Sequence, residues 1–294
     1  MTERPSATSF AAGEVRQAGS LVGGLQRPAD KSVAHRALLF NAMAYGEAEV
    51  TVARPGEDVL SMAAVLRTLG AVTTIETVGD ELTRVRLRGG GTSDALRLPG
   101  EGGETLDCGN AGTAMRLLIG ALATRPAEAT LVGDASLTTR PMERVAAPLR
   151  SMGARVVTAD GHAPILVEGR GDLEATDHQL PVASAQVIGA LALAALAAEG
   201  TTTIRVPGPT RDHTERMLAW MGAPVRREGY VTTVQGKAGF GARTIDVPGD
   251  ISGAAAWLVA GALHPDAHLV IEDVGLNPSR TGVSDVLRDM GADL

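Results

Sequence analysis

The chain has 294 residues, with 27 Lys and Arg against 34 Asp and Glu, a formal charge of −7. Hydrophobic residues at 44% and charged residues at 21% exclude a disordered chain, and the length suggests about two domains, each able to bury a core. Aromatics at 2% leave Ala, Val, Leu and Met to fill that core and exclude stacking platforms for single-stranded nucleic acid. The acidic balance argues against a nucleic-acid partner, but a local basic cleft can still hold an anionic substrate. Cys108 is the one cysteine, which excludes an intrachain disulfide and fits a reducing, cytoplasmic setting. The longest apolar run, Val187 to Ala198, has 12 residues and is too short to span a bilayer, so no membrane partner is expected. Glu3, Glu14 and the lack of an apolar core make the N-terminus neither a secretion signal nor an obvious transit peptide.

Along the chain, two helix patterns alternate. The first is apolar nearly all round: "KSVAHRALLFNAMA", "TAMRLLIGALAT", "AQVIGALALAALAA" and "SGAAAWLVAGAL". Such helices are expected to be buried on every side. Each runs into a short strand pattern: "EVTV", "ATLVG", "TTTIRV" and "HLVIEDV". The second pattern is amphipathic and ends in Leu69-Gly70-Ala71, Met152-Gly153-Ala154, Met221-Gly222-Ala223 and Met290-Gly291-Ala292. The glycine is where a left-handed helix stop is expected. The first three copies continue into an alternating stretch, such as "RVVTAD", that predicts a strand. The unit is therefore buried helix, strand, amphipathic helix, strand. The first interval also carries a Gly-rich region, Gly89-Gly90-Gly91 through Gly102-Gly103, expected as a turn between strands. The fourth copy stops at Leu294, where the others enter their strand, so an incomplete chain or a complementing piece is expected, against a natural terminus that docks as it stands.

The starts of the buried helices hold the unusual residues: Asp30-Lys31-Ser32 with His35 and Arg36, then Gly109-Asn110-Ala111-Gly112-Thr113, Ser184-Ala185-Gln186, and Gly249-Asp250-Ile251-Ser252. Helix N-termini present free N–H groups and bind phosphate or carboxylate. Asp30 and Asp250 are better explained as N-caps. Lys31 and Arg36 oppose the helix dipole, and an anion would explain both. Arg140, Arg211 and Arg280 each stand at or just before an amphipathic helix, and Arg54 at a similar point. A single such Arg would be a solvated side chain. Equivalent positions in the repeats favour an anion site for Arg140 and Arg211, with Arg54 left on the surface.

Other constellations carry no chemistry. "GNAGTAMR" lacks the Lys-Ser/Thr of a P-loop. Pro265 separates His264 from His268, so no metal site is expected there. Cys108 is expected as a packed thiol rather than a nucleophile.

Seven ordered segments resemble the 5-enolpyruvylshikimate-3-phosphate synthase family: "DKSVAHRALLF", "LDCGNAGTAMRL", "GDASLTTRPMERV", "SAQVIGALALAAL", "TRDHTERML", "IDVPGDISGAAAWLVA" and "NPSRTGVSDVLRDMGA". The resemblance runs from about residue 20 to the end. It implies an α/β enolpyruvyl transferase fold, an inside-out α/β barrel. One complete three-repeat domain would cover 25–244, and 1–24 with 245–294 would begin a second. The implied reaction moves the enolpyruvyl group of phosphoenolpyruvate to the 5-hydroxyl of shikimate 3-phosphate, by addition and elimination, releasing phosphate. No cofactor and no metal are implied, and a complete chain is expected to be a monomer.

By the same resemblance, Lys31 would position both substrates. Ser32, Arg36, Ser184, the Ala185 backbone, Gln186 and Arg211 would hold shikimate 3-phosphate. Gly112 and Arg140, with Asn110 beside them, would line the phosphoenolpyruvate pocket, which Gln186 would also touch. Gly112 is where the resemblance puts Ala in glyphosate-tolerant relatives, an added methyl crowding the inhibitor. The general acid/base Asp of the family is expected beyond Leu294. Two competing readings remain: a non-catalytic fragment that binds shikimate 3-phosphate and needs a partner chain, and a UDP-N-acetylglucosamine carboxyvinyltransferase, whose motifs do not match "DKSVAHR" or "SAQV".

Overall fold

The structure, a computed structural model, describes residues 18–79, 81–91, 96–97 and 103–294. In chain order it contains β1 (Leu21–Gln26), α1 (Lys31–Met43), β2 (Tyr45–Ala53), α2 (Glu57–Thr68), β3 (Val72–Val78) and β4 (Leu82–Gly90). Next come β5 (Glu104–Asp107), α3 (Gly112–Leu122), β6 (Glu128–Val132), α4 (Ala135–Thr138), α5 (Glu143–Ser151), β7 (Arg155–Ala159) and β8 (His162–Glu168). They are followed by β9 (Asp177–Gln179), α6 (Ala185–Ala195), β10 (Thr201–Arg205), α7 (His213–Trp220), β11 (Val225–Glu228) and β12 (Val231–Gln235). The last are β13 (Ile245–Asp246), α8 (Ile251–Leu263), β14 (Ala267–Glu272) and α9 (Gly282–Asp289).

Among the described residues, three four-stranded sheets share one plan: β13-β2-β4-β3, β5-β6-β8-β7 and β9-β10-β12-β11. In each, the first pair is parallel and the other two are antiparallel. A two-stranded parallel sheet, β1-β14, repeats the first pairing. The unit is thus fuller than the periodicity predicts. Each alternating stretch turns back as a hairpin, and a further parallel strand joins the edge. The returning strands, such as "HAPILVE", do alternate between buried and exposed residues, but each follows its partner after only a short turn, so the pair reads as one stretch. Gly89 and Gly90 are also strand rather than turn: they pair with Gly46 and Tyr45 at the end of β4. A Cβ at Gly89 would stand 2.1 Å from the Ala44 carbonyl oxygen, which explains the glycine there. The remainder of the Gly-rich connection, 92–95 and 98–102, and the segment 1–17 lie outside the described residues.

The glycines closing α2, α5, α7 and α9 all take left-handed conformations, with φ of 72°, 93°, 90° and 94° at Gly70, Gly153, Gly222 and Gly291. In each, the N–H of the following Ala reaches back to a carbonyl in the helix's last turn, as in Ala71 to Leu66 at 2.9 Å. The core sits around α1, α3 and α6, which bury almost their whole length. Asn41 inside α1 bonds the Arg243 backbone through both ends of its amide, fixing the approach to β13. The expectation of all-round burial fails for α8. Only Ile251 and Ala254 are buried there, and Leu263 is 77% exposed. The helix packs on β14 and α9, and among the described residues no second buried helix packs on it as α1 and α6 pack on α3.

Helix α3 lies against α6 so closely that a Cβ at Gly120 would stand 2.2 Å from the Ala190 carbonyl oxygen. Gly120→Ala is expected to lose about 2 kcal/mol of stability, because backbone overpacking outweighs the helix-propensity gain of ~1 kcal/mol. Urea unfolding checks this against Gly24→Ala, whose added Cβ meets nothing within 4 Å.

Candidate anion-binding site

The three buried helices start side by side. Asp30 caps α1, accepting from the Ser32 and Val33 N–H groups at 2.8 and 3.1 Å. One turn on, Arg36 is buried. Its Nε donates to Thr214 Oγ1 at 2.8 Å and its Nη1 to the Ser32 carbonyl at 2.9 Å. Burial is the main cause that lowers its pKa to about 10, with Arg211 adding to it and the Glu215 charge opposing. The guanidinium therefore stays charged at neutral pH. Ser184 caps α6 through the Val187 N–H at 3.4 Å. Gln186, in the first turn of α6, links it to α3: its Nε2 donates to Thr113 Oγ1 and its Oε1 accepts from Arg116 Nη1, both at 2.9 Å.

These starts surround a cavity of about 610 Å³. Ser32, Arg36, Ser184, Ala185, Gln186 and Arg211 all line it, and none of its lining residues is acidic. Arg144, which has no distinguishing mark in the sequence, lines it too. Among the described residues, Arg144 and Arg211 make neither an ion pair nor a hydrogen bond. Cations without counter-ions at helix N-termini are the arrangement an anion satisfies.

Asn110, Gly112 and Arg140 form a second, adjoining cluster. Arg140 Nη2 donates to Asn110 Oδ1, and Asn110 Nδ2 donates to Asp134 at 2.9 Å. A Cβ at Gly112 would stand 3.0 Å from Arg140 Nη1 and 3.1 Å from Arg116 Nη1, so the glycine leaves room for both guanidiniums. Burial lowers the Arg116 pKa to about 10, and the charges of Arg144 and Arg140 lower it further. Arg116, like Arg144, is absent from the residues expected at the site. A signal existed: it stands six residues after Asn110, as Arg36 stands six after Asp30.

Lys31 is placed differently from the expectation. It lies outside the cavity lining and pairs with Asp58, so Asp58 supplies the negative charge assigned to a ligand from the dipole argument. Burial tends to raise the Asp58 pKa, but the hydrogen bond and charge of Lys31 outweigh it and hold the carboxyl below its usual range. An anion would have to compete with this carboxylate for Lys31. Arg54 is a surface residue paired with Glu81. Cys108 is buried, and burial with Asp107 pushes its thiol up to about 12, far from a nucleophile. Among the described residues no group of His, Cys, Asp and Glu could hold a metal ion, and no helix is long and apolar enough to cross a membrane.

Fold and site together define an α/β protein built from similar units that gathers helix N-termini and arginines around a cavity with no acidic lining. The chain belongs to the EPSP synthase (3-phosphoshikimate 1-carboxyvinyltransferase) family, whose sequence profile matches residues 15–294. The 3-phosphoshikimate 1-carboxyvinyltransferase of Acidithiobacillus ferrooxidans is 45% identical over 278 residues, 95% of this chain and 62% of that protein. That of Synechococcus sp. WH7803 is 49% identical over 291 residues, 97% of this chain and 64% of that protein. The solved EPSP synthase of Acinetobacter baumannii superposes with a TM-score of 0.84 at 42% identity, over 93% of this chain and 60% of the other. The chain thus spans about three-fifths of the length of the relatives it matches.

His35, buried in α1, gives the site a pH signature. Its Nε2–H donates to the Asp58 carbonyl at 3.0 Å, while Nδ1 is buried without a partner. Burial lowers its pKa from 6.5 to about 4. Between those values the unfolded chain holds a proton that the folded chain does not, so stability rises with pH across this window. The contribution, on the order of 3 kcal/mol, is fully present above about pH 6.5 and is lost as pH falls through the window. Urea unfolding at pH 7 and pH 4.5 is expected to show a larger loss for the unsubstituted chain than for His35→Gln, which keeps a donor toward Asp58 and does not titrate.

Proposed function

We propose that this chain carries the shikimate 3-phosphate side of an enzyme that transfers the enolpyruvyl group of phosphoenolpyruvate to the 5-hydroxyl of that substrate, releasing phosphate. The observation that carries the proposal is the cavity itself: three helix starts and three arginines, Arg36, Arg144 and Arg211, with no acidic lining. Two highly anionic reactants repel each other, so the protein must hold both against cations in fixed geometry. The large cavity takes shikimate 3-phosphate, with its phosphate toward Arg211 and its ring hydroxyls toward Ser184 and Gln186. The adjoining cluster takes phosphoenolpyruvate, with Arg140 and Arg116 on its charged groups and Gly112 keeping the approach open. Gln186 touches both clusters and sets their separation. Lys31 lies beside them and would leave Asp58 to contact the substrates.

The same proposal divides the chain at two crossings. The bounds expected from the sequence, 25–244, shift by a few residues: residues 27–247 form one three-repeat domain closed as an inside-out barrel, because β13 completes the sheet of β2, and 1–26 with 248–294 belong to the other, because β1 pairs with β14. The names of the relatives and the shared fold support this reading.

Calorimetry with shikimate 3-phosphate tests it directly. The unsubstituted chain is expected to bind, and Arg211→Met and Arg144→Met each to weaken binding about tenfold, the loss of one charge-assisted contact. Phosphate release in the presence of both substrates tests the chemistry separately. No binding at millimolar ligand would refute the substrate assignment.

A further inference from the structure

Outside the cavity, one buried cation is paired with two carboxylates. The Arg280 side chain is 8% exposed, just before α9. Its Nη1 donates to Asp30 Oδ2 at 3.2 Å. Its Nη2 donates to Asp250 Oδ1 at 2.8 Å and also to Ser252 Oγ. Asp30 and Asp250 are the N-caps of α1 and α8. One guanidinium therefore spans two helix caps that lie far apart in the sequence.

The backbone around it is equally reciprocal. Asp30 N–H donates to the Pro248 carbonyl at 2.7 Å, and Asp250 N–H donates to the Pro28 carbonyl at 3.0 Å. Ala29 and Gly249 form an antiparallel bridge between them. The two passages into α1 and α8 run side by side, and Arg280 lies across both caps. Without it, two carboxylates would face each other in a poorly hydrated place, which is costly. A planar fork can meet both at once, whereas a lysine ammonium is a single point on a flexible stem.

We propose that Arg280 is a positioning residue for the candidate site: by locking Asp30 to Asp250 it fixes the first turn of α1, and with it Ser32 and Arg36. The chain of contacts is continuous. Arg280 holds Asp30 through Oδ2, Asp30 holds the Ser32 and Val33 N–H groups through Oδ1, and Arg36 Nη1 bonds the Ser32 carbonyl. The effect on ligand rests on the assignment of Ser32 and Arg36 to shikimate 3-phosphate; the effect on the helix start does not.

The test uses Arg280→Met and Arg280→Lys in the full chain, with Gly120→Ala as a variant destabilised elsewhere. Amide hydrogen exchange is followed by NMR at Ser32, Val33, Ser252 and, as a reference start, Val187. Arg280→Met is expected to speed exchange at Ser32, Val33 and Ser252 at least tenfold while leaving Val187 unchanged, and to weaken shikimate 3-phosphate binding at least fivefold. Arg280→Lys, which meets one carboxylate at a time, is expected to fall between. Unchanged exchange at Ser32 and Val33 would overturn the proposal. So would a uniform increase at every helix start, as Gly120→Ala should give, because it marks Arg280 as a stability residue only. Faster exchange at those amides with unaltered affinity would overturn the link to the ligand. Absence of binding by the unsubstituted chain would refute the substrate assignment and the affinity claim with it, while the exchange pattern would still decide whether Arg280 holds the turn.

Discussion

Close packing of three small-residue helices is the constraint from which the rest follows. Helices rich in Ala and Gly can approach until backbone meets backbone, as Gly120 of α3 does at Ala190 of α6. Larger side chains would hold the axes apart. Because the helices approach so nearly, their first turns also meet, and a side chain as short as Gln186 can touch both Thr113 and Arg116 on the neighbouring helix. The cavity is the space left where three helix starts come together. The site is thus a by-product of how the core closes.

The charge distribution shows how an acidic chain can favour anions. Among the described residues, most of the arginines outside the site are paired with carboxylates, as Arg86 is with Glu49 and Arg155 with Glu168. Those pairs are largely exposed and contribute little to stability. Around the cavity the pattern changes. Arg36 is held by a hydroxyl and a carbonyl, Arg116 by an amide and carbonyls, and the nearby carboxylate, Glu215, bonds Arg227 and Thr232 through Oε1 while its charge still acts on Arg36. Neutral partners orient a guanidinium without cancelling its charge. Local potential is set by which cations lack a counter-ion, so a net charge of −7 does not prevent a positive cleft.

Much of this was legible from residue order. The eight principal helices, the four Gly stops and the cap roles of Asp30 and Asp250 follow from periodicity and local chemistry, which depend on neighbours within a few residues. Six of the expected site residues, including Ser32, Gln186 and Arg211, line one cavity for the same reason: helix starts are local features, and the repeat brings them together. What was not legible depends on distant partners. Lys31 next to a helix dipole suggests a ligand, but Asp58 on α2 already answers its charge. Helix α8 is as apolar as α6, yet burial depends on what surrounds it. The Arg280 position suggested kinship with Arg140 and Arg211, whereas its contacts are two aspartates, 30 and 250 positions away in the sequence.

The exchange of parallel strands has a consequence for synthesis. Sheet β13-β2-β4-β3 receives its last strand from Ile245 and Asp246, which pair with Val50 and Thr51. Strand β1, next to α1 in the sequence, pairs instead with β14. During translation the edge of β2 is therefore left open while nearly two hundred further residues are made, longer than for the sheets of β5 and β9, whose partners follow shortly after. An open edge of this kind can recruit another nascent chain. Order of emergence from the ribosome, rather than final stability, then sets where this protein is most exposed to misassembly.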